Sequence, residues 1–242
     1  MGIEILGGDA VLLAAYLFPI LFLMAFIGHE GKKYLIYLVW GIVVSIPVII
    51  LYDLITTTVP LSILPYPELV ASPLLEEFFK ALPIIIPAIM GIKNSNRDLL
   101  VYAMAVGIGF SLLENWHTID PASLMSSCEG LDPELFTSCW EGNILTVLGL
   151  SFSTSLLHGC TCGIIGYGIV LIRNFDRKAL PVLLFGFYTL AVTIHAIYNL
   201  LWVRGSLIDC VIDFSFPLVL FFFLLTCYQV DLPSIFKREI EE

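Results

Sequence analysis

Seven stretches of this chain stay apolar over roughly the 20 residues that a helix needs to cross a hydrocarbon layer, and this restricts the fold more than any other feature. They lie near 9–28, 34–52, 72–92, 98–116, 144–172, 180–203 and 207–229. Backbone N–H and C=O groups find no water inside a bilayer, so each stretch must satisfy them internally, as a helix does. With 59% hydrophobic and 13% charged residues among 242 and a mean hydropathy of +0.96, too little polar surface remains to cover a water-soluble globule. The expected fold is an all-α, polytopic membrane helix bundle of about seven transmembrane helices, forming a single domain over 1–242. Glu4 and Asp9 stand where a signal peptide would carry basic residues, so the first stretch reads as a retained helix.

Basic residues in short loops favour the cytoplasmic side. Lys32 and Lys33, then Lys93 and Arg97, then Arg173, Arg177 and Lys178, and finally Lys237 and Arg238 fall on alternate connections and at the C-terminus. Lys80, inside the third stretch, and Arg204, in the turn between the last two, are the exceptions. The pattern predicts a multi-pass protein of the cell membrane with its N-terminus outside and its C-terminus inside. Connections 53–71 and 117–142 hold no Lys or Arg, and the second carries Asp120, Glu129, Asp132, Glu134 and Glu141. Cys128 and Cys139 share that loop. An oxidising compartment would join them, and a reducing one would leave two free thiols. Cys160, Cys162, Cys210 and Cys227 read as reduced packing residues.

Ionisable side chains inside apolar runs are costly, and they usually face a protein interior where they pair with one another. Glu76, Glu77 and Lys80 open the third stretch, with Lys80 four residues after one carboxylate and three after the other, so either pairing is available on one helix face. Glu114 closes the fourth stretch, His158 sits in the fifth, and His195 and Asn199 lie one turn apart in the sixth. Successive helices alternate in direction, which places Glu76, Glu77, Glu114, His195 and Asn199 in the outer half of the bilayer, within reach of His158. Gly107, Gly109, Gly159, Gly163, Gly166 and Gly168 permit the bearing helices to approach closely.

Two imidazoles and one carboxylate make an open zinc site whose fourth position is left for water, and Glu114, His158 and His195 supply that set. Glu76 or Glu77 would then take the proton from water, and Asn199 would stabilise the oxyanion. Cys162, one turn after His158, is an alternative to Glu114 as ligand. A metal-free arrangement is also open, in which the Glu pair held by Lys80 activates water directly while His and Asn groups bind the tetrahedral intermediate.

Glu76-Glu77-x-x-Lys80, Phe110-x-x-x-Glu114-Asn115, His158 and His195-x-x-x-Asn199 together resemble the PrsW family of intramembrane proteases, over about residues 70–200. That family is related to the CAAX prenyl proteases and their bacterial relatives. Glu114 stands where the CAAX-protease pattern has His, which favours the PrsW side. The resemblance implies an intramembrane endopeptidase with Glu76, Glu77, Lys80 and Asn199 as catalytic residues, and with Glu114, His158 and His195 around zinc or water. It implies as partners the lipid bilayer and a membrane-anchored protein substrate, such as an anti-sigma-factor-like regulator, and no nucleic acid. Buried Glu, Lys and His also suit an ion- or proton-coupled transporter, although the chain shows no inverted repeats. A non-catalytic membrane scaffold of the same fold is the third reading.

Overall fold

Each long apolar stretch that can be followed in the computed structural model is helical; the described residues are 13–14, 16–22, 31–90, 96–118, 128, 130–172, 180–204 and 207–230. Six helices run α1 Gly31–Thr58, α2 Pro67–Ile89, α3 Asn96–Thr118, α4 Pro133–Ile172, α5 Leu180–Arg204 and α6 Leu207–Val230, with no strand among the described residues. Residues 16–22, inside the expected 9–28 span, are helical as well, and the rest of that span lies largely outside the described residues. So do Lys93, Arg173, Arg177, Lys178, Lys237 and Arg238, which carry most of the charge pattern behind the expected orientation.

Four of these helices are long and apolar enough to cross a membrane: Lys33–Thr58, Asp98–His117, Glu141–Ile172 and Pro181–Leu201. The chain is a multi-pass membrane protein. Large apolar side chains such as Ile36, Val43, Ile50, Phe185 and Val219 are exposed on the bundle's flanks, where lipid can solvate them. The apolar run of α2 is instead broken by Glu76, Glu77 and Lys80, all three buried.

Three of the helices extend beyond their apolar runs. α1 runs to residue 58 rather than 52, and the Thr57 and Thr58 hydroxyls in its last turn donate back to the Asp53 and Leu54 carbonyls. Pro67, whose fixed φ suits a first turn, opens α2 five residues before the apolar stretch. Asp132 accepts the Leu135 N–H at 3.0 Å and starts α4. At 40 residues, α4 is about 60 Å long, twice the hydrocarbon thickness. Cys139, near the start of α4, is bridged to Cys128, settling the two thiols as a disulfide.

α3 is the centre of the bundle and packs most extensively on α4 and α1. One core group joins Leu38, Met104, Ile108, Leu156 and Phe221; another joins Ala81, Ile84, Tyr102, Ile165 and Ala191. Cys160, Cys162 and Cys227 are buried, unpaired packing residues. Among the described glycines, the tightest contact is at Gly107, where an added Cβ would fall 1.9 Å from the backbone oxygen of His158. Neither backbone can yield cheaply there. Gly107→Ala is therefore expected to lower stability by at least about 2–3 kcal/mol and to displace His158, measurable as a loss of thermal stability in detergent.

Candidate active site

Four helices each bring a polar side chain into the same buried space. α2 presents Glu76, Glu77 and Lys80, α3 presents Glu114, α4 presents His158 and α5 presents His195. Glu76, Glu77, Lys80, His158 and His195 are almost fully buried, whereas Glu114 keeps 27% side-chain exposure. The imidazoles stand edge to face, with centroids 4.9 Å apart.

The two adjacent glutamates are held quite differently. Glu77 Oε1 accepts Lys80 Nζ at 2.7 Å and lies 2.8 Å from His195 Nδ1. Glu76 Oε1 accepts the Ser72 hydroxyl one turn earlier, while its Oε2 is buried without a hydrogen-bond partner. That oxygen lies 3.7 Å from His158 Nδ1 and 3.7 Å from His195 Nε2. Neighbouring residues on a helix point about 100° apart, so only one of the pair can face the space between the imidazoles. Glu76 does.

The tautomers follow from the partners. An ammonium only donates, so His158 Nδ1, 2.7 Å from Lys80 Nζ, must accept. The proton of the neutral ring is then on Nε2, which faces Glu114 Oε2 at 2.6 Å. His195 donates Nδ1–H to Glu77 and leaves the Nε2 lone pair toward Glu76. Each ring thus holds a carboxylate on its outer nitrogen and turns its inner nitrogen to Glu76 Oε2. Outer carboxylates of this kind fix the orientation and basicity of histidines that ligate metals.

Donor atoms of Glu76, His158 and His195 lie within 4.8 Å of one another, the group among the described residues that could hold an ion. Tetrahedral zinc with ligands at about 2.0–2.1 Å sets its donors about 3.3–3.4 Å apart, so the 3.7 Å separations and the orphaned Glu76 oxygen fit such an ion after small shifts. Glu114 touches His158 from the other side. Cys162 packs in the core with Ala81, Ile165 and Ala191, outside this donor group.

A cleft of about 330 Å³ opens onto Glu76 and Glu114 and is lined also by Tyr52, Asp53, Glu68, Asn115, Thr154 and Asn199. Asn199 Nδ2 donates to the Glu68 carbonyl at 2.9 Å, tying α5 to the start of α2. Farther along the same pair of helices, Tyr188 donates to the Leu74 carbonyl. Asn115 Oδ1 accepts from Thr154 at 2.8 Å, which fixes the cleft wall between α3 and α4. Sequence reasoning missed Ser72 and Tyr188. Ser72 was open to detection, because a hydroxyl four residues before Glu76 shares its helix face; the backbone bond of Tyr188 left no such trace.

No curated protein and no solved structure matches the chain. Residues 31–227 match the family described as PrsW family intramembrane metalloprotease, a span that contains all of the clustered residues. A helix bundle fit for lipid, with a buried Glu/His/His donor group whose Glu76 borders a cleft, agrees with that match: the chain belongs to the PrsW family of intramembrane metalloproteases.

Proposed function

We propose that the chain hydrolyses a peptide bond of a membrane-anchored protein in the outer half of the cell membrane, with zinc held by Glu76, His158 and His195. The observation that carries this reading is Glu76 Oε2, buried without a hydrogen-bond partner and equidistant at 3.7 Å from the inner nitrogens of both histidines. When bound there, zinc supplies Lewis acidity and a water of lowered pKa. Glu114, partly exposed on the cleft, would take the proton from water across one intervening water, with the oxygen that does not face His158, and would return it to the leaving amine. On this reading Glu76 and Glu114 exchange the roles that spacing alone suggests. Glu77, paired with Lys80, keeps His195 in the tautomer that presents Nε2. Asn199 lines the cleft and gives one N–H to Glu68; its carboxamide has a second to offer a developing oxyanion.

The alternating basic connections support a site toward the exterior, and the Cys128–Cys139 disulfide suits an oxidising compartment on that side. A regulator with one transmembrane span and an external domain, of the anti-sigma-factor kind, fits a cleft on this face. The chain is to be reconstituted with single-span proteins of that architecture, and the new product termini identified by mass spectrometry. Cleavage within or beside the span, on the outer side, is expected. Intact substrates, or cuts confined to the inner side, would refute the proposal.

A further inference from the structure

We infer that Lys80 is a resident competitor for the metal site, so that a divalent cation enters by displacing its ammonium from His158. The inference rests on the donor set proposed above and concerns what occupies that set beforehand. Lys80 Nζ lies 2.7 Å from His158 Nδ1, the nitrogen that also faces Glu76 Oε2. An imidazole nitrogen has one lone pair in the ring plane, and it cannot serve an ammonium and a metal ion together. Two cations that close in a buried site also repel one another strongly.

The ammonium is well held where it stands. Lys80 is fully buried, its Nζ bonds Glu77 Oε1 at 2.7 Å, and it rests 4.9 Å from the centroid of the Phe110 ring. It also has somewhere to go. Glu77 Oε2 is buried without a hydrogen-bond partner, and the four-carbon Lys stem can pivot so that the ammonium leaves His158 and rests on both oxygens of Glu77. The cation already in place compensates buried carboxylates in the metal-free protein, and the same contact subtracts from the free energy of metal binding. Lys80 is thus a positioning residue that sets metal affinity.

The sign of the effect separates this role from a merely structural one. Removing a structural support loosens a metal site, whereas removing a competitor tightens it. Zinc affinity is to be measured on the full chain in detergent by competition with a chromophoric chelator, comparing wild type with Lys80→Met, which keeps the stem and loses the charge. Tetrahedral binding is confirmed independently of activity by the visible absorption of the cobalt-substituted protein. Lys80→Met is expected to bind zinc about tenfold more tightly or better, equal to about 1.4 kcal/mol. Should that variant fail to fold because Glu77 loses its partner, Lys80→Gln, which loses the charge and keeps an N–H donor for Glu77, carries the same expectation. Equal or weaker affinity in the folded variant, beside a wild type that binds zinc, would overturn the competitor role alone. Absence of zinc from wild type and variants alike would overturn the donor set and this inference with it. Zinc bound by the variant and not by wild type would uphold the competitor role while removing zinc from the proposed mechanism.

Discussion

Glu76→Gln is expected to abolish cleavage and metal retention together, whereas Glu114→Gln keeps the metal and loses about 10²–10⁴-fold in turnover. The two carboxylates differ in what they face. Glu76 Oε2 points at both imidazoles with no other partner, so its replacement by an amide removes a charged donor from the set. Glu114 Oε2 lies 2.6 Å from the outer nitrogen of His158, and Glu114 borders the cleft, where the proposed mechanism has it meet substrate and water. Gln preserves volume in both places, so the bundle should remain folded. Metal content and cleavage rate, measured on the same preparations, check the expectation. Metal retained in Glu76→Gln and lost in Glu114→Gln would restore the roles read from spacing, with Glu114 as ligand and Glu76 in proton transfer.

Glu77→Leu is expected to cost about 3–5 kcal/mol of stability, with much of it recovered in the Glu77→Leu/Lys80→Met double variant. Both partners are fully buried, and their 2.7 Å contact offsets the loss of hydration of two charges. Deleting one carboxylate leaves the ammonium with His158 as its remaining hydrogen-bond partner among the described residues. Deleting both charges removes the stranded ammonium and leaves the His195 Nδ1–H as the remaining unmet donor, and replacing buried pairs by apolar groups is often neutral. Reversible unfolding in mixed micelles, run as a double-mutant cycle, measures the coupling. Additive losses would show that the pair contributes nothing through its mutual contact.

The helices were legible because a lipid solvent demands long apolar runs, and the site residues were legible because each interrupts one. The allocation of partners was not. Lys80 stands four residues after Glu76 and three after Glu77, and both pairings suit a helix face, so only the packing of α2 against α4 and α5 shows that Glu77 takes it. Likewise, the sequence places Glu114 and Glu76 at similar depth but cannot say which nitrogen of His158 each approaches. Cys162 shares a helix face with His158 by spacing, yet at one turn's distance it already belongs to the core. The length of α4 was hidden as well, since Pro133, Asp132 and the loop disulfide begin the helix well before its apolar residues do.

The proposed site requires Glu76, His158 and His195 to share one ion, and the most direct measurement is the zinc content of the purified chain by mass spectrometry. The chain is to be handled without chelators and compared with His158→Ala and His195→Ala after each variant is shown to be folded. Near-stoichiometric zinc in the native chain and its loss from both variants is the predicted result. Zinc absent from the native chain, or retained when either histidine is removed, would contradict it.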